Sequence, residues 1–259
     1  MAATAAQKER IKQDFISARG YWSRGWDPLL ELAPEYFEAY ARLSSAPWLH
    51  GTLSPKVKEF IYIAIDSSTT HMYEPGLRIH IRNALRHGAT KEEIMEVYML
   101  TSVLGIHTIT TGVPQLIQAM RNTGRGGEVN TASLSPRQEA LKAEFIANRG
   151  YWTELWDNVL AIAPDFFEAY KDFSSVPWKF GTLEPKVREL IYIAIDAATT
   201  HLYEPGILIH MENALKQGAT PAEIMEVLEL TSVLGVHTMA IGVPALLDEV
   251  RKWEAEQKK

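Results

Sequence analysis

The chain has 259 residues, 46% of them hydrophobic and 22% charged, with a net charge of −6 and no cysteine. The missing cysteines exclude disulfides, thiolate nucleophiles, CxxC redox chemistry and cysteine-ligated metal centres. A mildly acidic chain without basic clusters argues against nucleic-acid or membrane partners. No apolar run approaches the roughly 20 residues of a membrane span, and the opening MAATAAQKER lacks an apolar signal core, so a cytoplasmic location is expected.

In chain order, Ala6 to Arg19 has helical spacing and stops at Gly20, a C-terminal cap. Pro34 opens a helix through Leu43, and Ser54-Pro55 caps and opens another through Asp66. The run Phe60 to Ile65 has β-like propensity, which makes a strand the competing reading. The shared 3.6-residue face of Val57, Phe60, Ile61, Ala64 and Ile65 favours helix. Pro75-Gly76 reads as a break, followed by a helix from Leu77 to His87. Thr90 and Glu93 form a capping box for the segment KEEIMEVYMLTSVLG. A last helix spans Pro114 to Arg121.

The whole pattern then repeats. Gly20-Tyr21-Trp22 recurs as Gly150-Tyr151-Trp152, His71 as His201, His80 as His210 and His107 as His237, always offset by 130 residues. The chain is therefore a tandem duplication, read as a first repeat over 1–121, a linker over 122–134 rich in Gly, Ser, Thr and Asn, and a second repeat over 135–259. Without hairpin patterns, the expected fold class is all-α, with two similar helical bundles. The copies differ in charge: residues 1–130 hold 14 basic and 13 acidic residues, and the remainder is acidic.

Three histidines per copy sit near helix ends beside apolar segments, where pockets and perturbed pKa values occur. His71 and Glu74, spaced i, i+3, face the same way if that turn is helical. Glu59 is either a solvated first-turn carboxylate or a general base pointing into a pocket. Asp66 ends its helix against the dipole and needs a partner. Arg78 and Arg82 flank His80 and suit a carboxylate ligand, or else form a solvated face; Leu208 and Glu212 replace them in the second copy. Trp22 and its aromatic neighbours wall a pocket or anchor the core. A metal reading is also open: His71, Glu74, His80 and His107 offer a ligand set for Zn, Fe or Mn.

The stretch from Lys56 to Gly112, and its copy from Lys186 to Gly242, resembles the carboxymuconolactone decarboxylase family, which includes the alkylhydroperoxidase D-like proteins. The likeness rests on His80, Ala84-Leu85, Gly88-Ala89-Thr90 and Glu92-Glu93-Ile94. The resemblance implies two tandem alkylhydroperoxidase D-like helical domains. It also implies ring-like homo-oligomers, which a fused pair would build as a trimer or a dimer of chains. His80 matches the histidine of the peroxidase branch and Glu59 its upstream glutamate. The paired cysteines are missing near Tyr73 and Gly76, which excludes a thiol peroxidase. Leu77-Arg78-Ile79-His80-Ile81-Arg82 is similar to the run of the decarboxylase branch, with Tyr73 to Gly76 as a local insertion. The expected function is a cofactor-free lyase acting on a small carboxylated compound or lactone, as in aromatic-compound catabolism. Its acid–base groups are His80, His71, Glu74 and Glu59, with His210, His201, Glu204 and Glu189 in the second copy. Its substrate contacts are Arg78, Arg82, Trp22 and Tyr73. The alternatives are the metal-dependent enzyme and a non-catalytic binding or scaffold protein.

Overall fold

A computed structural model describes residues 3–129, 131 and 133–258. Among these there is no strand. The first repeat contains α1 (Ala5–Arg19), α2 (Asp27–Leu32), α3 (Pro34–His50), α4 (Pro55–Ser67), α5 (Glu74–Arg86), α6 (Lys91–Ser102) and α7 (His107–Asn122). The second contains α8 (Pro136–Arg149), α9 (Glu154–Ile162), α10 (Pro164–Phe180), α11 (Pro185–Ala197), α12 (Glu204–Lys216), α13 (Pro221–Ser232) and α14 (His237–Gln257). Between the repeats lies a short 3-10 turn, Gly126–Glu128. Asn130 and Ala132 of the expected linker lie outside the described residues.

Local chemistry sets these ends. Gly20 takes φ +75° and closes α1, and Gly150 repeats it for α8. Thr90 and Glu93 form the expected capping box of α6. The Phe60–Ile65 run is helical because every residue from Lys58 to Asp66 is buried. A helix apolar on all sides belongs in the centre of a structure, so packing overrides β propensity.

Two expectations are corrected. Pro75-Gly76 does not break the chain; with Glu74 it forms the first turn of α5, where proline lacks no needed hydrogen bond. The last helix of the repeat begins at His107 rather than Pro114, which sits inside it. The segment Pro221–Gln257 also holds an 18-residue window of mean hydropathy 1.7, apolar enough to cross a membrane by composition. A 3-10 turn at Val233–Val236 divides it, and Ile224, Val227, Leu230 and Leu234 are spent on the protein core.

The two repeats share their cores. Ile61, Tyr62 and Ile65 of α4 pack with Leu190, Ile193, Val227 and Leu230 of the second repeat. Reciprocally, Ile191, Tyr192 and Ile195 of α11 pack with Phe60, Val97 and Leu100. The outer helices cross over as well: Val236 and Met239 join the cluster around Phe15 and Phe37, while Ile106 and Ile109 join that around Phe145 and Phe167. Two buried ion pairs fasten the exchange. Lys58 meets Glu226 at 2.9 Å, and Arg188 meets Glu96 at 2.7 Å. Each glutamate also accepts backbone N–H bonds from the other repeat, Glu226 from Thr52 and Leu53, Glu96 from Thr182 and Leu183.

Candidate active site

The crossing helices bring residues of both repeats to one cavity. It has a volume of about 190 Å³ and is lined by Arg19, Tyr21, Tyr62, Asp66, His80 and His237, among others. For scale, a cavity of about 150 Å³ holds benzene.

His80 on α5 and Glu59 on α4 form a buried dyad, with Nδ1 2.6 Å from Oε2. Tyr62, one helical turn from Glu59, stacks on the imidazole with ring centroids 4.4 Å apart. The carboxylate and the stacked ring fix the imidazole, leaving Nε2 as its second proton-transfer atom. Of the two readings of Glu59, the structure selects the buried one. His210 and Glu189 repeat the dyad at 2.7 Å.

Asp66 ends α4 beside this dyad. The chain then turns back sharply: Met72 adopts φ +53°, and the Tyr73 N–H bonds the Asp66 carbonyl at 2.8 Å. A non-glycine residue in the left-handed region is strained, so the surrounding contacts must hold this turn. Gly76 closes over the carboxylate; a Cβ there would lie 2.3 Å from Asp66 Oδ2. Burial pushes the Asp66 carboxyl up to about 7, with His80 opposing the rise and Glu59 adding to it. Asp196 is pushed up to about 8 by burial and by Glu189.

The turn also places His71 against His237 of the other repeat, Nε2 to Nδ1 at 2.7 Å. Tyr73 stacks on His237 at 3.8 Å, and Asp66 Oδ1 lies 3.8 Å from His237 Nδ1. The second repeat mirrors the arrangement with His201, His107, Tyr203 and Asp196. Burial, together with the neighbouring imidazoles, lowers His237 and His107 to about 3, so both rings are neutral near pH 7.

Arg19 supplies the positive charge. The residue is 5% exposed, and its guanidinium lies among the rings of Phe15, Tyr21, Trp48 and Tyr62 at 5.0–5.8 Å. One N–H bonds the Ser44 carbonyl at 3.1 Å, while Nε has no partner. Burial works to lower its pKa, but Tyr62, Tyr21, Tyr40 and Glu59 outweigh it, so the charge persists. A buried guanidinium with an unused donor is suited to an anionic oxygen.

Other expected site residues fall elsewhere. Arg78 and Arg82 are exposed, and Arg78 pairs with Glu74 on the outside of α5. Both line a groove next to the cavity, because residues two positions from His80 on a helix point away from it. Glu74 and Glu204 are exposed as well, so the His71–Glu74 pairing does not form. Trp22 belongs to the aromatic core around Phe15 and Phe37, its Nε1 donating to Asp27. Tyr73 does line the cavity. The ligand set His71, Glu74, His80 and His107 does not converge, since α7 carries His107 across to His201 and Asp196.

Sequence reasoning passed over Arg19. One signal was present: Arg19 and Arg149 precede Gly-Tyr-Trp in both copies, and neither has an acidic residue three or four positions away.

The second cavity is smaller, about 50 Å³, lined by Arg149, Leu155, Asp196 and His210 among others. Leu155 stands where the first repeat has Gly25. Tyr203 is tied to Thr110 by a 2.6 Å hydroxyl bond, at the position that Ala240 occupies in the first site.

Comparison with known proteins agrees with this architecture. The model of the carboxymuconolactone decarboxylase family matches residues 34–123 and 164–248. Among curated proteins none matches. A solved structure from Burkholderia xenovorans LB400, described as a provisionally assigned gamma-carboxymuconolactone decarboxylase subunit, is 42% identical. The match covers 95% of this chain and 98% of that one, with a TM-score of 0.90. With two family segments in one polypeptide and the His–Glu dyad in each, this chain belongs to the carboxymuconolactone decarboxylase family.

Proposed function

We propose that the first cavity catalyses a decarboxylase-like lyase reaction on a small carboxylated compound, with a carboxylated lactone as the leading candidate. The observation that carries this reading is the meeting, in one cavity of about 190 Å³, of a buried guanidinium whose Nε has no partner with a buried His–Glu dyad. The name of the Burkholderia relative points the same way.

In the reaction, the bond between the substrate carbon and its carboxylate breaks and carbon dioxide leaves. The electron pair moves onto an adjacent carbonyl oxygen, where Arg19 meets the developing negative charge. His80 enters this step as the imidazolium, gives its Nε2 proton to carbon while Glu59 accepts the Nδ1–H bond, and regains that proton from solvent before the next turnover. The second repeat keeps the dyad and Arg149 but lacks the room, so turnover is assigned to the first site.

The test is carbon dioxide release from a panel of small carboxylated lactones and β-keto acids. His80→Asn is expected to lower turnover about 10²–10⁴-fold, and His210→Asn to leave most of it. Unchanged turnover in both single variants and in the double would remove the dyad from the chemistry. Saturable ligand binding without turnover on any compound would favour a binding protein.

A further inference from the structure

The cluster of Asp66, His71 and His237 lies at the wall of the cavity and takes no part in the reaction above. We propose that these three residues bind a divalent transition-metal ion, with one ligand atom from each.

Three observations support the assignment. The candidate donor atoms lie within 4.8 Å of one another. Two of the separations are 2.7 Å (His71 Nε2 to His237 Nδ1) and 3.8 Å (His237 Nδ1 to Asp66 Oδ1). Metal–ligand bonds of about 2.0–2.2 Å place neighbouring donors roughly 3.0–3.5 Å apart, so small side-chain rotations reach the required geometry. Asp66 is 1% exposed, and its Oδ2 has no hydrogen-bond partner. Such a carboxylate, desolvated and facing two imidazoles, is suited to a cation.

The ligands are also held from outside. Tyr73 stacks on the His237 ring, the Tyr73 N–H grips the backbone of Asp66, and Gly76 leaves room for the carboxylate only by lacking a side chain. Outer contacts of this kind orient metal ligands. Two histidines and one carboxylate leave coordination positions open. Asp66 and His237 both border the cavity, so an ion here would take a carboxylate or carbonyl oxygen of a ligand lying in it. Because the ligands come from both repeats, the ion would also clamp them together. Asp196, His201 and His107 form the corresponding group in the other half. There His107 turns Nδ1 to His201 at 2.6 Å and Nε2 to Asp196 at 3.7 Å.

The site is tested without turnover, which keeps it separate from the decarboxylation reading. Chelator-treated full-length protein is titrated with Zn²⁺ by calorimetry, and the Co²⁺ form is examined by absorption spectroscopy for nitrogen and oxygen ligation. The wild type is expected to take up at least one equivalent, with a rise in melting temperature. His71→Ala and Asp66→Asn are each expected to remove one equivalent, or to weaken it at least 100-fold. Glu74→Gln, on the exposed face of α5, is expected to bind as the wild type does. Circular dichroism confirms that each variant is folded. If a variant does not fold, the wild-type Co²⁺ spectrum decides by its ligand type. No saturable Zn²⁺ uptake by the wild type, uptake unchanged in both folded variants, or a Co²⁺ spectrum of the hexa-aqua ion would each overturn the assignment.

Discussion

Gly25 and Leu155 occupy equivalent positions in the two repeats, and each borders its own cavity, of about 190 Å³ and 50 Å³ respectively. A Cβ at Gly25 would meet only Ser23 Oγ, at 3.4 Å, so the backbone there accepts a side chain. Gly25→Leu is therefore expected to keep the fold and fill the first cavity, lowering affinity for a small aromatic carboxylate at least tenfold. Leu155→Gly is expected to open the second and add a binding event. Calorimetric titration with benzoate reads both; unchanged binding in each would separate this position from cavity size.

Arg19 rather than the Arg78/Arg82 pair is expected to hold the anionic group of a ligand. Arg19→Met keeps the bulk among the surrounding rings and removes the charge. A lost charge-assisted hydrogen bond of about 1.5–3 kcal/mol corresponds to roughly 10–150-fold weaker binding of carboxylates. The Arg78→Gln/Arg82→Gln double variant is expected to bind within twofold of the wild type. The reverse ranking would move the anion site out to the groove on α5.

Gly76 is expected to tolerate no side chain. A Cβ would lie 2.3 Å from Asp66 Oδ2 and 2.7 Å from the Tyr73 ring. Overpacking of this kind costs about 1–3 kcal/mol. Urea denaturation of Gly76→Ala measures that loss, and the same protein is expected to show a displaced Asp66 and weakened ligand binding.

The Lys58–Glu226 pair tests whether the repeats fold as one unit. Both side chains are buried, at 4% and 2% exposure. Removing one partner strands a buried charge, at about 3–5 kcal/mol. Lys58→Met is expected to lower stability by that order while denaturation stays a single transition, because the cores are shared. Two separated transitions by circular dichroism and fluorescence would show repeats that fold independently.

Glu93 provides a pH test. Burial raises its pKa, but Lys56, together with the Thr90 backbone N–H and hydroxyl, outweighs this and leaves it lowered. A depressed carboxylate stabilises the fold above its unfolded pKa, near 4.3, and that contribution disappears as pH falls through the folded value. Glu93→Gln retains a capping oxygen and loses the charge. It is expected to cost about 0.5–1 kcal/mol at pH 7 and progressively less as pH falls below the unfolded value, as read by denaturation across an acid pH series.

Much of the fold was legible because its signals are local. Gly20, Ser54-Pro55 and the Thr90–Glu93 box set helix ends within a few residues of themselves, and the offset of 130 residues is visible by inspection. The dyad was half legible: His80 and Glu59 stood out as ionisable groups in apolar surroundings, but their meeting at 2.6 Å required the packing of α5 on α4. Arg78 and Arg82 misled because neighbours of His80 in sequence lie on the opposite face of the helix. His237, 166 residues from His71, could not be assigned to the first site from one copy's spacing.

By itself, the sequence determined the all-helical class, the duplication, the absence of thiol chemistry and the family, since these follow from composition, periodicity and motif. Only the tertiary structure decided which histidines meet, which arginine is buried with a donor unused, and which repeat keeps an open cavity. Side chains hundreds of atoms apart along the chain converge through the exchange of helices between repeats, and that exchange is dictated by burial of apolar surface, which no local pattern records.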